Sequence, residues 1–250
     1  MILEVARLHH EYDAQHVAIA ELTFGVDVGQ VVSIVGPSGC GKTTLLKAIA
    51  GLLPFTSGRV QLMGSDIHEA SRDLAMVFQE YQRSLFPWMR VGENVALPLK
   101  YRAVTAAERV SRVEESLIAV GLAGLADRYP WQLSGGMQQR VAIARALAYR
   151  PKILLMDEPF ASVDAQTRAD LEDLVRAVRA QFGVTMLLVT HDIDEAVYLA
   201  DRVVVLSASP CTILREIVVE LPVLRDQIAT KALPEFVTLR SEVARLIRRP

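Results

Sequence analysis

The spacing of apolar residues changes repeatedly along this 250-residue chain, and each change predicts a different kind of element. The opening MILEVARL and HVAIAELTFGVDVG alternate polar and apolar positions, the period of half-exposed antiparallel strands, with a turn expected near Asp13. QVVSIVG is a short, nearly continuous apolar run that predicts a buried strand, and KTTLLKAIAG then has helical periodicity from Lys42 and a terminal glycine. From about Tyr81 to Arg150 the stretches TAAERVSRVEESLIAVGL and GGMQQRVAIARALAY are helix-like, with few strand-like runs between them. KILLMD, QTRADLEDLVRAVRAQF, VTMLLVT, a helix around Asp194 to Ala200 and RVVVLS then alternate strand with helix. Such alternation implies right-handed crossovers and a mainly parallel sheet that takes ligands at the carboxyl ends of its strands. After Ser207 a strand pair is expected in TILREIVVEL. A final helix follows, carrying Phe236, Leu239, Val243, Leu246 and Ile247 on one face and Arg240, Arg245, Arg248 and Arg249 mostly elsewhere. That helix reads either as packed on its own domain with a solvated basic face or as a partner contact. The architecture expected is one α/β domain over 1–250, with an N-terminal antiparallel sheet, a helical subdomain inserted at about 81–150 and a C-terminal extension at about 208–250.

Composition narrows the function classes. A net charge of −2 gives no basic excess, so nucleic acid and anionic membrane surfaces are not the evident partners. Cys40 and Cys211 are the two cysteines, too few for a disulfide framework and without metal-ligand spacing. No apolar run reaches the roughly eighteen residues of a membrane span, and the amino terminus lacks the features of a signal peptide, so a cytosolic location is expected.

The chemistry concentrates in two glycine-rich loops. GPSGCGKT, from Gly36 to Thr43, matches G-x-x-x-x-G-K-S/T in full and lies between a predicted strand and a predicted helix, the context in which that pattern binds phosphate. Gly36, Gly39 and Gly41 let backbone N–H groups of the loop, with Pro37, Ser38 and Cys40 between them and Thr44 beyond, converge on phosphate oxygens at a helix amino terminus. Lys42 is expected to bridge the β- and γ-phosphates and Thr43 to ligate Mg²⁺. Asp157 closes the apolar run ILLM and is placed beside the Mg²⁺ shell, and Glu158 follows as a candidate general base for water. Gln79, after AMVF, is placed to contact both Mg²⁺ and the attacking water, and His191, after VTMLLVT, to reach the γ-phosphate. Tyr12 reads either as a half-buried turn residue or as a ring that stacks on adenine. Cys40 is expected in the nucleotide cradle, with inert packing as the alternative.

The second loop, LSGGM, lies before the acidic strand end. Ser134, Gly135 and Gly136 open a helix and make a second anion-binding terminus. One nucleotide needs one such cradle, so the second is best explained as a lid over the γ-phosphate bound by another copy of the chain.

Together these residues resemble the ATP-binding subunits of ATP-binding cassette (ABC) transporters, over essentially the whole chain. Walker A is GPSGCGKT, the glutamine loop begins at Gln79, the signature is LSGGMQQR, Walker B is ILLMDE, the D-loop is ASVD ending at Asp164, and the switch histidine is His191. The resemblance implies a P-loop NTPase core, ATP and Mg²⁺ as ligands, Tyr12 as the aromatic A-loop residue, and Asp164 connecting two active sites across a head-to-tail homodimer. QEYQRSLFPWMRVGENV, DEPFASVDAQTR and the tail are similar to the ATPases of the nitrate, sulfonate and taurine importer group. In that group the segment corresponding to about 84–95 receives the permease, so Leu85, Phe86 and Trp88 are read either as its docking surface or as ordinary packing. A solute-binding protein is then an indirect partner, and the cytoplasmic face of the membrane is the expected location. An ABC-type ATPase of DNA repair or chromosome maintenance is the alternative, but it would carry a long heptad insertion between Gly36 and Ser134, which the sequence lacks.

Overall fold

The computed structural model describes residues 1–13 and 15–248, with the backbone alone of Tyr81 and Gln82. Arg249, expected on the basic face of the final helix, lies outside the described residues.

β3 (Val31–Val35), β7 (Ile153–Asp157) and β8 (Thr185–Thr190) are buried along their whole length, as strands covered on both faces must be. With β6 (Leu74–Val77) and β9 (Arg202–Leu206) they form a parallel array. β1 (Leu3–Asp13), β2 (His16–Val26), β4 (Ser57–Leu62) and the short β5 (Ser65–Asp66) pair antiparallel, as their alternating burial requires. The turn after β1 is shaped by Asp13, whose carboxylate accepts from Gln15 N at 2.9 Å and from the His16 ring at 2.8 Å.

β10 (Cys211–Val218) joins the two parts, running antiparallel to β9 and, at Cys211 and Thr212, parallel to β2. The expected strand pair in TILREIVVEL is therefore a single strand. No turn former interrupts it, and its two edges are occupied by β9 and β2, so it has no need to fold back on itself. Among the described residues the sheet has ten strands in the order β5-β4-β1-β2-β10-β9-β3-β8-β7-β6.

Successive side chains of the central strands enter two different cores. Val32, Ile34, Leu155, Leu187, Val189 and Val204 meet α1 (Lys42–Ile49) and the antiparallel strands. Val31, Val35, Leu154, Met156, Leu188 and Val205 face the other layer, which includes α5 (Gly135–Ala148), α6 (Ala165–Phe182), α7 (Ile193–Leu199) and α8 (Pro234–Ile247). Phe236 and Val243 of α8 are buried in that layer, with Leu239, Leu246 and Ile247 packed against it, so its apolar face is spent inside the molecule.

Between Tyr81 and Ala148 the described residues form helices: α2 (Tyr81–Ser84), α3 (Val91–Ala96), α4 (Ala106–Ala119) and α5. Asn94, fully buried, organises the loop before α3. Its side chain accepts from Phe86 N at 2.8 Å and donates to the carbonyls of Phe86, Met89 and Arg90, each at 3.1 Å. In that loop Leu85 is buried in the core, while Trp88 is 72% exposed.

Candidate active site

β3 ends at Val35, and the chain passes through Gly36 to Gly41 into α1. Gly41 sits at φ 106°, and a Cβ there would lie 3.0 Å from the Ala18 carbonyl, so conformation and space both demand glycine. Lys42 is buried, and its Nζ donates to the carbonyls of Gly36 and Pro37, both at 2.9 Å. The loop thus wraps the ammonium, which keeps a third donor in hand. Pro37 is half-buried, and Ser38 and Gly39 form an exposed crest. The first turn of α1 has neither a side-chain cap nor an acidic residue, which leaves its N–H groups and their partial positive charge to an external anion.

Cys40 departs from its expected place. Its side chain is buried in the core beneath the loop, and burial pushes its thiol above the ordinary range. Only its backbone is on the loop, where its N–H donates to Pro37 O at 3.3 Å.

The carboxyl ends of three adjacent parallel strands bring the polar residues together. Asp157 is the last residue of β7, and its Oδ1 accepts from the Thr43 hydroxyl at 3.0 Å. Burial raises its pKa, the Thr43 hydrogen bond opposes the rise, and the charge of Glu158 reinforces it. Gln79 follows β6 and donates to Glu158 Oε2 at 3.0 Å. His191 follows β8 and places Nδ1 3.2 Å from the same oxygen. Glu158 itself is held at φ 43° with its N–H on Val189 O at 2.8 Å. At the other side of the loop Tyr12, near the end of β1, exposes its ring and hydrogen-bonds Thr44 Oγ1 through its hydroxyl at 2.8 Å.

Tyr12, Lys42, Thr43, Thr44, Asp157, Glu158, Gln79 and His191 are thus linked or adjacent around one loop. Ser134, Gly135 and Gly136 lie at the start of α5, and among the described residues no hydrogen bond or ion pair joins them to Gly36–Thr44. Ser134 caps α5 by accepting from Met137 N at 3.3 Å. Asp164 caps α6 through Thr167 N at 3.0 Å. Trp131, 69% exposed, stacks on Tyr129 at 5.8 Å between centroids. Two features have no signal of their own in the sequence: Arg168 ends the string DEPFASVDAQTR, but nothing there says that it pairs with Asp192 at 3.0 Å, and Asn94 looks from sequence like any polar helix residue.

Among the described residues no cluster of three or more His, Cys, Asp or Glu could hold a metal unaided. The Thr43 hydroxyl and the Asp157 carboxylate nevertheless present converging hard oxygens beside the loop. That donor set suits Mg²⁺, which takes one or two protein ligands and completes its shell with phosphates and water.

A glycine loop leading from a central parallel strand into a helix, with an acidic strand end beside it, defines the P-loop NTPase fold. The family model described as ABC transporter matches residues 19–161, more than half the chain, and the chain belongs to that family. The Nitrate import ATP-binding protein NrtD of Synechocystis sp. is 41% identical over 99% of this chain and 96% of its own length. The Nitrate import ATP-binding protein NrtC of Synechococcus elongatus is 40% identical over 99% of this chain, which spans only 38% of that protein. Among solved structures, the dimeric ABC transporter cassette MJ0796 superposes with a TM-score of 0.75 at 34% identity, covering 88% of this chain and 99% of that one.

Proposed function

We propose that this chain is the ATP-hydrolysing subunit of an importer, working at the cytoplasmic face of the membrane as a homodimer that sandwiches two ATP molecules head to tail. The observation that carries the reading is Glu158, whose carboxylate is oriented by Gln79 and His191 beside the Thr43–Asp157 pair and the lysine-filled loop. Gly36 to Thr44 would cradle the phosphates with backbone N–H groups, Lys42 would meet the β- and γ-phosphates, and the exposed Tyr12 ring would stack on adenine. Thr43, Asp157 and Gln79 would hold Mg²⁺, which when bound neutralises charge on the phosphates.

Glu158 then takes a proton from the attacking water, and the bond between the γ-phosphorus and its bridging oxygen breaks in line. His191 and Lys42 stabilise the charge on the transferred group. Ser134, Gly135 and Gly136 open a second helix terminus and share no hydrogen bond with their own loop among the described residues, so they are assigned to the nucleotide of the second copy, with Asp164 connecting the two sites. The similarity to a dimeric cassette supports this arrangement. A second structure of the same cassette is described as a post-hydrolysis state bound to ADP and Pi.

The permease is assigned to about 84–95, in the helical subdomain at about 81–150. Exposed Trp88, with Phe86 edge-on to it at 5.3 Å, supports that surface, and Leu85 is core. An apolar cavity of about 460 Å³ adjoins it, lined in part by Gly92, Ala96, Val113 and Leu117 of α3 and α4. The names of the relatives point to nitrate, bicarbonate and taurine, and the resemblance extends to sulfonates. The cargo is assigned to this class of small solute, delivered by a solute-binding protein that this chain meets only through the permease. The C-terminal extension at about 208–250 is read as part of this single ATPase domain. The longest helix described between Gly36 and Ser134 is α4, of 14 residues, too short for the arm of a chromosome-maintenance ATPase.

The test is Glu158→Gln in saturating Mg-ATP. It should bind ATP, elute as a stable dimer and lose about two to four orders of magnitude in turnover. A variant that stays monomeric at high concentration, or that turns over normally, defeats the proposal.

A further inference from the structure

The first turn of α6 is in contact with three features of the site. Asp164 caps it, accepting from Thr167 N at 3.0 Å and from Thr167 Oγ1 at 2.7 Å. The methyl of Thr167 lies 2.4 Å from where a Cβ on Gly136 would stand, so the second glycine of the lid is what lets α5 approach α6. One residue on, Arg168 Nη1 donates to Asp192 Oδ2 at 3.0 Å.

Asp192 is the residue after His191. Its other carboxylate oxygen caps α7, accepting from Asp194 N at 2.9 Å and Glu195 N at 3.1 Å, and its own N–H donates to Thr190 Oγ1 at 3.0 Å. The backbone that carries the imidazole is therefore pinned to α7 by the cap, to β8 by Thr190, and to α6 by Arg168. The first two tethers lie within His191's own segment of chain. Arg168 alone of these three reaches across from the helix that touches the lid and begins at Asp164. Both partners of the pair are about one-third exposed, and Arg168 Nε is buried without a hydrogen-bond partner, so the contact of Nη1 with Asp192 carries the link.

We infer that Arg168 is a positioning residue that holds Asp192, and through it His191, in register with the first turn of α6, so that the seating of Gly136 and Asp164 sets the placement of the histidine. This deepens the reading above, because it rests on His191 serving the γ-phosphate. Arg168 acts through Asp192, to which its Nη1 donates, and is not among the residues assigned to the nucleotide. Its loss is expected to affect the chemical step and to spare nucleotide affinity.

The experiment compares Arg168→Ala, Arg168→Lys, Asp192→Asn and the Ala/Asn double variant with His191→Ala, all in the full chain. Three quantities are measured: kcat and KM for Mg-ATP, ATP affinity by titration, and the NMR titration of the His191 imidazole. Arg168→Ala should lower kcat about tenfold, a typical size for one lost link in a coupled pair. KM and affinity should stay within about twofold, and the His191 resonance should move. Arg168→Lys, which keeps the charge, should restore most of the loss and also covers the case in which the alanine variant folds poorly. The double variant should be no worse than the poorer single. Normal kcat in Arg168→Ala beside an inactive His191→Ala overturns this inference alone. So does a loss of kcat matched by lost affinity with the His191 resonance unmoved. Normal turnover in His191→Ala instead defeats the underlying reading of the site.

Discussion

Glu158 is held at φ 43°, a left-handed conformation that costs a non-glycine residue about 1–3 kcal/mol when the surroundings enforce it. The enforcement is visible: its N–H is taken by Val189, and its carboxylate is held between Gln79 and His191. The strain aims the carboxylate out of the strand end, and the rest of the sheet offsets it. Glu158→Gly should therefore abolish turnover yet raise stability over Glu158→Gln by about 1 kcal/mol, read from denaturant unfolding of the two variants side by side. Equal midpoints would show that no strain is stored there. Residues of this kind are only half legible in a sequence. The adjacency of Asp157 and Glu158 after an apolar run exposes their chemistry, because strand ends in a parallel sheet are where ligands sit. The backbone strain has no signature, since glutamate carries no conformational preference that would betray it. Arg168 and Cys40 are opposite cases. Arg168 closes the string DEPFASVDAQTR, but its position in the sequence says nothing of Asp192, which lies 24 residues on. Cys40 lies inside a motif whose backbone binds, and nothing in the motif says that its side chain turns the other way into the core.

At the scale of elements, α5 shows how one terminus can serve two ends. Its start is capped by Ser134 through a 3.3 Å hydrogen bond to Met137 N, and the same terminus is proposed to close over a neighbour's triphosphate. The two roles separate on substitution. Ser134→Ala loses the cap and should cost about 0.5–1 kcal/mol of stability. Ser134→Asp restores it, since aspartate caps as well as serine and suits the positive end of the helix. It also places a carboxylate against the phosphate, so ATP should no longer drive dimerisation, as measured by light scattering of a Glu158→Gln background with and without Ser134→Asp. A dimer as tight as that of the parent would remove Ser134 from the lid. The central strands and this helix were legible because burial on both faces leaves an unbroken apolar run and a cap leaves serine before the first turn. β10 was not, because TILREIVVEL offers apolar residues at both parities and reads equally as two short strands or one long one. Only the partners on its edges, β9 and β2, decide. The same limit applies between Leu85 and Trp88: both are apolar, and only the fold of the loop, tied to Asn94 at Phe86, Met89 and Arg90, shows that Leu85 is buried and Trp88 exposed.

At the scale of the whole molecule, the segment after β10 is bound to α6 and α7 through polar groups, the reason its apolar pattern loosens and its placement could not be read. Arg225 Nη1 donates to the carbonyls of Val197, Tyr198 and Ala200 at 3.2, 2.5 and 3.1 Å, closing the end of α7. Lys231 Nζ reaches the buried Glu172 at 3.1 Å, and Gln227 donates to the same carboxylate at 3.1 Å. Glu195, on α7, is also buried, and one of its oxygens has no hydrogen-bond partner. Burial raises the pKa of Glu172 above its ordinary value of 4.5, and that of Glu195 well above it, where the charges of Glu172 and Asp192 add to the rise. An acid whose pKa is higher in the fold than in the unfolded chain makes the folded state bind more protons in between. Stability contributed by that group is therefore greatest in acid and falls as pH rises above 4.5. Exposed Asp164 and Asp226 have the opposite slope, because backbone N–H bonds, at Thr167 and at Ala229 respectively, hold their pKa values down. They lose stability as pH falls, so the decline on the alkaline side comes from the buried acids, Glu172 and Glu195 together with Asp157. Glu195→Gln keeps the shape of the side chain and removes its charge. It should raise the thermal midpoint at neutral pH and flatten the decline in stability as pH rises above 4.5, while in acid below that value, where the native side chain is protonated, the two proteins should unfold at nearly the same temperature. A variant whose midpoint runs parallel to that of the parent across the whole range would mean that Glu195 is not what makes the fold sensitive to pH.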